Sequence, residues 1–192
     1  MSRSFSEREK ENIRKSLQDA CKQSWVQYGY KKTSVDELCM HAGISKGAFY
    51  LFYESKETLF CEVLCSIQNQ IREAALMAME EHRDKYGVAK ALKCMYREYD
   101  KYNFLYNSNH MDFTVLMNKL SKEQAEKIRE SDSMSQQLFL SRPYLKLRVE
   151  PDMAMSVLYS LIMNIKNKDI LPYNHMETFD FMVDRLIDGL YE

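Results

Sequence analysis

Between Ser45 and Lys56 the chain collects side chains that suit contact with a polyanion. The segment reads SKGAFYLFYESK and offers lysines, two small residues and hydroxyl-bearing tyrosines. Lysine can bond a guanine edge or a phosphate, and alanine can touch a thymine methyl group. Tyrosine hydroxyls and helix N-termini bind phosphate oxygens, which position a protein on a duplex without specifying its sequence. The chemistry that these residue types predict is noncovalent recognition of nucleic acid.

Eight residues in and around this segment are candidates for contact with DNA. They are Thr33, Ser45, Lys46, Gly47, Ala48, Tyr50, Tyr53 and Lys56. Lys46, Gly47 and Ala48 open a helix, so they are expected nearest to base edges. Thr33, Tyr50, Tyr53 and Lys56 are better placed for phosphates, and Ser45 is the expected N-cap of the helix.

Two short helices joined by a tight turn must position these side chains. Ser34 is a suitable N-cap, and Glu37 follows three residues later, as in a capping box. Gly43 stands where a helix ends in the left-handed conformation that glycine adopts readily. The second helix is expected to run from Lys46 through Phe52. A helix pair of this kind forms a helix-turn-helix, whose second helix enters the major groove of DNA.

The string GISKGAFYLFYESKETLF, with the residues from Tyr28 to Thr33 leading into it, closely resembles the DNA-binding signature of the TetR/AcrR family of transcriptional regulators. The resemblance covers roughly the first third of the chain. It implies a homodimer in which two C-terminal helices of each subunit form a four-helix bundle. Two-fold symmetry then places two recognition helices about one DNA turn, ~34 Å, apart and predicts a palindromic operator of double-stranded DNA. It also implies a helical body that binds a small-molecule effector.

Composition and periodicity predict an all-α fold of about nine helices. Glycine and proline are sparse, with 5 and 3 copies among 192 residues, which favours helix. A first helix is expected between Ser6 and Gly29, with Glu9 as the capping-box partner of Ser6. A long fourth helix is expected to begin after Ser55. We predict a helix-turn-helix head at residues 1–54 and a larger ligand-binding and dimerisation body at residues 55–192.

The body carries many aromatic and methionine side chains at helical spacing. Each alone is best explained as core, but together the tyrosine hydroxyls suit a mixed apolar and polar ligand pocket. The pocket candidates are Tyr96, Tyr99, Phe104, Phe113, Met117, Phe139, Tyr159 and Met163. The last two helices are apolar over a wide arc, which predicts a symmetric interface. The interface candidates are Val157, Leu161, Ile165, Phe179, Met182, Val183 and Leu186.

The five cysteines are odd in number and lie in helical patterns, which favours reduced thiols in a cytoplasm. Cys61 and Cys65 are four residues apart on one helix face, but no nearby Cys or His completes a metal set. Buried apolar thiols are the favoured interpretation, and a redox-sensing pair is the alternative. No cofactor is expected, and no nucleophile–base or phosphate-loop signature predicts an enzyme. No apolar run approaches the ~18 residues of a membrane span, and the polar N-terminus predicts no secretory signal.

These observations predict a cytoplasmic DNA-binding regulator, specifically a repressor that a small molecule releases from a palindromic operator. The alternative keeps the DNA-binding head and makes the helical body a protein-interaction module.

Overall fold

The computed structural model describes residues 5–102, 110–140 and 142–192, without the side chains of 110–112 and 131–137. These residues form nine α-helices, one 3₁₀ helix and no strand, which confirms the predicted all-α class. The α-helices are α1 Glu7–Tyr28, α2 Val35–Ala42, α3 Lys46–Phe49, α4 Lys56–Glu81, α5 Lys85–Lys101, α6 His110–Met117, α7 Lys122–Leu140, α8 Pro151–Met163 and α9 His175–Leu190, with the 3₁₀ helix at Asn164–Ile170. Within the described part of the chain, no helix combines the length and apolar character needed to cross a bilayer.

Local side-chain chemistry fixes the helix ends near the N-terminus. Ser34 caps α2 by accepting a hydrogen bond from the Glu37 N–H at 3.2 Å, and its own N–H donates to the Glu37 carboxylate at 2.8 Å. Ser6 and Glu9 form the same reciprocal box at α1. Gly29 and Gly43 follow α1 and α2 with φ of +80° and +67°, a region that other residues enter only with strain. Both capping boxes were expected from the sequence.

The described residues of 1–66 and 108–128 pack into one compact unit, which we call unit 1. Aromatic rings fill the centre of this unit. Phe60 packs with its ring centroid 4.7 Å from that of Trp25 and 5.1 Å from that of Tyr30. All three rings are buried, as is Phe49 of α3. Packing thus divides the chain within α4, whereas the sequence predicts a domain boundary between residues 54 and 55.

The described residues of 67–107 and 129–192 form a second compact unit, unit 2. Its α5 and α9 are joined by a charged ladder at their surface and by stacked rings beneath it. The ladder consists of Lys85 with Asp188 at 2.7 Å, Lys93 with Asp184 at 2.7 Å and Arg97 with Asp180 at 2.6 Å. Tyr96 stacks on Phe179 with centroids 3.8 Å apart. Since both rings are buried, the stack anchors the α5–α9 pair.

Residues 191 and 192 pack against other residues of unit 2. Leu147 and Tyr191 form an isolated antiparallel bridge. The Tyr191 ring is fully buried, and its hydroxyl donates to the Phe139 carbonyl oxygen at 3.2 Å. One side chain therefore ties the end of α9 to the end of α7.

Candidate nucleic-acid interface

The second helix of the predicted helix-turn-helix is shorter than expected. Ser45 caps it by accepting from the Ala48 N–H at 3.2 Å, as its position predicts. The sequence predicts a helix through Phe52, but α3 ends at Phe49 and the chain closes in tighter turns. The Leu51 N–H donates to the Ala48 carbonyl at 3.1 Å, and the Phe52 N–H donates to the Phe49 carbonyl at 2.9 Å. This local winding leaves the Tyr50 and Leu51 side chains 52% and 69% exposed.

Phe49 and Phe52 hold this short segment against the rest of unit 1. Phe49 is fully buried, with its ring centroid 5.8 Å from that of Tyr53. Phe52 is partly buried, and its ring centroid lies 6.0 Å from that of Phe5. With the phenyl rings inward, the outward residues are Lys46, Gly47, Tyr50 and Leu51, which we call the recognition surface.

Gly47 occupies an exposed helical position that the fold does not require to be glycine. A Cβ built on it meets only the Ser45 Oγ, at 3.9 Å, an ordinary contact distance. Its φ is not positive, so no left-handed conformation demands glycine. Glycine in a helix costs about 0.5–1 kcal/mol relative to alanine. The missing side chain therefore leaves open space outside the protein, where another molecule can approach the backbone.

Lys46 is paired with an acid of the preceding helix. Its ammonium donates to the Asp36 carboxylate at 3.0 Å, and the two side chains are 54% and 69% exposed. The hydrogen bond and the charge of Asp36 raise the pKa of Lys46, so the ammonium stays protonated. An exposed pair of this kind contributes little to stability. Its effect is on charge, because Asp36 offsets the one lysine of the recognition surface.

Two of the predicted phosphate contacts, Thr33 and Tyr53, point into the protein. Their side chains are 1% and 3% exposed. The Thr33 Oγ1 donates to the Gly29 carbonyl oxygen at 2.8 Å, and the Tyr53 hydroxyl donates to the Glu62 carboxylate at 3.0 Å. Burial, together with the Glu62 charge, raises the pKa of Tyr53. These hydroxyls support the helix-turn-helix from within.

Lys56 was also predicted to contact phosphate, but its ammonium binds the loop before α2 instead. Its ammonium donates to the carbonyl oxygens of Tyr30 at 3.0 Å and Thr33 at 2.8 Å, and lies 4.1 Å from the centroid of the Tyr30 ring. The Tyr30 hydroxyl donates to Glu57. Burial alone would raise the pKa of Glu57, but this bond and the charges of Lys119 and Lys56 lower it below its usual value. The cluster fixes α4 against the α1–α2 loop.

Sequence reasoning missed two residues of this region. Asp36 was given no role, and its only signal in the sequence is an acid on the helix that precedes Lys46. Leu51 was assigned to the second helix without a role, although the early end of α3 leaves it exposed. Neither position carries a local motif, because each acquires its surroundings from the path of the turn.

The five cysteines are free thiols in this structure. Cys21, Cys39 and Cys61 are buried, and Cys65 and Cys94 are partly so. The pKa of the Cys61 thiol is raised, chiefly by a hydrogen bond with Cys65 and to a smaller extent by burial. Because the thiolate is the nucleophile, a raised pKa makes this thiol unreactive. Among the residues with described side chains, no three of the His, Cys, Asp and Glu side chains converge as a metal site.

The predicted ligand-pocket residues are spread over both units. Tyr96 and Phe139 are buried in unit 2, with the Tyr96 hydroxyl 3.3 Å from the His175 Nδ1. Phe113 and Met117 belong to unit 1, and Tyr159 is 59% exposed. Tyr99 and Met163 are partly buried, and Phe104 lies outside the described residues. The effector pocket stays a prediction.

A surface groove lies between α8 and α9, with a volume of about 320 Å³. Four predicted interface residues line it: Val157, Leu161, Met182 and Leu186. Ser156, Ser160 and Asn164 supply its polar part. The other three predicted interface residues, Ile165, Phe179 and Val183, are buried within the protomer. The groove thus gathers four of the seven predicted residues, of which Leu161 is also largely buried.

The N-terminal helices are similar in sequence to known bacterial proteins. The model of the bacterial regulatory proteins of the tetR family matches residues 17–63, which run from α1 into α4. The HTH-type transcriptional regulator YhgD of Bacillus subtilis (strain 168), itself uncharacterized, is 34% identical over 67 residues. That match spans 35% of this chain and 35% of YhgD.

Solved structures share the fold over nearly the whole chain. The transcriptional regulator FadR from Bacillus subtilis, in complex with stearoyl-CoA, has a TM-score of 0.70 at 15% identity, over 91% of this chain and 98% of its own. NalD, the secondary repressor of the MexAB-OprM multidrug efflux pump in Pseudomonas aeruginosa, has a TM-score of 0.57 at 19% identity, over 97% and 99%. The sequence match to the tetR family model is thus confined to the N-terminal helices, whereas the fold that the chain shares with these solved regulators extends along nearly its whole length.

Proposed function

We propose that this protein is a homodimeric repressor that binds a palindromic operator through residues 34–53 and releases it when a small molecule binds the body. The observation that carries the DNA-binding part is Gly47. It is an exposed helical glycine with open space around its Cβ position, flanked by the outward Lys46 and Tyr50. A glycine that the protein itself does not need is explained by the close approach of a duplex to the α3 backbone.

Phosphate contact is the second part of the proposal. Tyr50, 52% exposed, presents a hydroxyl beside Gly47. Lys31 and Lys32 are exposed in the turn before α2, and Arg8 lies exposed near the start of α1. Cations and hydroxyls around an uncharged centre suit a duplex, because phosphate contacts fix the position of a protein while base contacts specify the sequence. Lys56 would act indirectly, by holding the loop that carries Thr33.

A second copy of the chain is proposed to cover the α8–α9 groove. Large apolar side chains on these helices are exposed: Met153 at 57%, Tyr159 at 59%, Phe181 at 62% and Leu186 at 40%. A two-fold interface uses the same patch on both subunits, so a groove flanked by exposed rings can receive the side chains of its partner. A dimer would present two recognition surfaces to two half-sites.

The dimer can be tested with one charge placed in the groove. Leu186→Glu buries a carboxylate at the proposed interface and is expected to give a monomer in analytical ultracentrifugation. Met77→Glu is the matched control, since Met77 is 69% exposed on α4, outside the groove. If Leu186→Glu sediments like the parent protein, this interface is wrong.

Effector-controlled repression is supported by the relatives. FadR was solved with stearoyl-CoA and NalD is a repressor, and both share the fold. An effector acts only if it binds one conformational state more tightly than the other. We therefore expect a compound that lowers the affinity of the protein for the operator to bind the DNA-free protein more tightly than the DNA-bound protein. A regulator of chromosomal DNA of this kind would work in the cytoplasm.

DNA binding is tested by selection from random duplexes, followed by fluorescence anisotropy of the enriched duplex and a scrambled one. The proposal predicts a palindromic motif, tighter binding of the enriched duplex and an affinity that falls as salt rises. Equal affinity for both duplexes at every salt concentration would contradict it.

A further inference from the structure

The helix-turn-helix lacks the side chains that usually read bases by paired hydrogen bonds. Residues 34–54, all of them described, contain no arginine, asparagine or glutamine. Arginine pairs with guanine, and asparagine or glutamine pairs with adenine, through two bonds each in the major groove. Lys46 is the one lysine of this segment, and Asp36 holds its ammonium at 3.0 Å. Hydrogen bonding therefore offers this segment few means of direct discrimination.

An exposed apolar side chain, Leu51, is part of the recognition surface. Gly47, Tyr50 and Leu51 are all exposed on the recognition surface, with Gly47 in α3 and the other two in the turns that follow it. Leu51 is 69% exposed and Tyr50 is 52% exposed, whereas Phe49 on the opposite face is fully buried. Gly47 leaves the backbone beside them open to close approach. This face is apolar at its centre, with the Lys46–Asp36 pair at its start.

The major groove presents one apolar feature, the C5-methyl group of thymine. If the backbone at Gly47 approaches the duplex closely, Leu51 can reach the groove floor and contact this methyl group. Because this face is uncharged, its burial against the bases does not require the desolvation of an unpaired cation. We propose that Leu51 is a specificity-determining residue that reads thymine methyl groups, with Tyr50 beside it. The inference rests on the proposed function, because it names the kind of operator that the same surface would select. Each half-site should then carry a thymine whose methyl group faces Leu51.

The expected effect follows from the size of a methyl group. Removing one methyl-sized group from water changes a dissociation constant about fourfold. A symmetric operator has two half-sites, so losing one methyl in each should weaken binding about 15-fold. Deoxyuridine differs from thymidine only by this methyl group and keeps the hydrogen bonds to adenine.

The test uses the full-length protein and the duplex enriched from a random library. Duplexes are synthesised with deoxyuridine in place of thymidine at one symmetric pair of positions at a time, and their dissociation constants are measured by anisotropy. For the parent protein, substitution at one or more of these symmetric pairs should weaken binding about 15-fold. Leu51→Ala should bind the thymidine and deoxyuridine versions of that duplex within twofold of each other. Met77→Ala, which truncates an equally exposed residue of α4, should keep the parent's preference.

The outcomes separate this inference from the proposed function. If no sequence is enriched, the DNA-binding proposal itself fails. If a sequence is enriched but no deoxyuridine substitution weakens binding, the DNA-binding proposal stands and the methyl-reading inference is overturned. If Leu51→Ala keeps the full thymidine preference, another residue reads the methyl group and the role of Leu51 is overturned. Circular dichroism and thermal unfolding of both variants confirm that each is folded.

Discussion

Replacing Gly47 with alanine should strengthen the fold while weakening recognition. The added Cβ meets only the Ser45 Oγ at 3.9 Å, so no atom of the protein must move. Alanine is favoured over glycine in a helix by about 0.5–1 kcal/mol. For a chain of this size, that gain corresponds to a rise of roughly 1–4 °C in Tm.

The same methyl group projects from the recognition surface. If the duplex packs against the backbone at Gly47, the methyl group overfills the contact, and overpacking costs about 1–3 kcal/mol. The dissociation constant for the selected duplex should therefore rise about five- to 150-fold. Thermal unfolding measures the first effect, and fluorescence anisotropy measures the second on the same preparation.

Gly189→Ala is the matched control. Gly189 lies in α9, is exposed and has nothing within 4 Å of its Cβ position. This variant should gain comparable stability and bind DNA like the parent protein. The reasoning is refuted if Gly47→Ala binds the selected duplex as tightly as the parent does. A Gly47→Ala protein that lost stability would show that the position has an internal role that the geometry does not contain.

Three further predictions concern the scaffold. Lys56→Met removes the bonds to the Tyr30 and Thr33 carbonyls and should lower the free energy of unfolding by about 1.5–3 kcal/mol in urea titrations, with Lys32→Met as an exposed control. Gly87→Ala should destabilise by about 1–3 kcal/mol in the same assay, because the new Cβ would collide with the His82 carbonyl oxygen; a stability equal to the parent's would contradict this. Burial raises the pKa of Tyr191 from 10.0 to about 12, so its contribution to stability is complete below pH 10. That contribution should fall by about 1.4 kcal/mol per pH unit as pH rises from about 10 towards 12, a slope that Tyr191→Phe should lack.

The sequence predicted both ends of α1 and α2 and the start of α3, because those ends depend on neighbours in the chain, but it placed the end of α3 three residues too late. The boxes at Ser6 and Ser34 and the positive φ of Gly29 and Gly43 each involve residues within about one helical turn. The outward placement of Lys46 was also predicted, since it follows from burying Phe49 beneath it.

The directions of Tyr53 and Lys56 were not predictable in the same way. A tyrosine or a lysine in this region suits a phosphate or an internal acceptor equally well. The choice depends on Glu62 for Tyr53, and on the carbonyls of Tyr30 and Thr33 for Lys56. Those carbonyls belong to the loop before α2, 26 and 23 residues from Lys56 in the sequence, so only the tertiary fold brings them to the ammonium. The packing of α6 with the N-terminal helices in unit 1 was not predictable from the sequence either, because it too depends on contacts between residues far apart in the chain.

The charged ladder on α5 and α9 affects how salt titrations of DNA binding by this protein are interpreted. The acids at Asp184 and Asp188 are 58% and 59% exposed, so added electrolyte weakens their attraction to Lys93 and Lys85 over the range used to displace DNA. A loss of operator affinity at high ionic strength therefore combines counterion release with any loosening of unit 2. The stack of Tyr96 on Phe179 is apolar and does not respond in this way. Near-ultraviolet circular dichroism of these rings should therefore change along the titration only if the α5–α9 pair loosens, which separates loosening of unit 2 from counterion release.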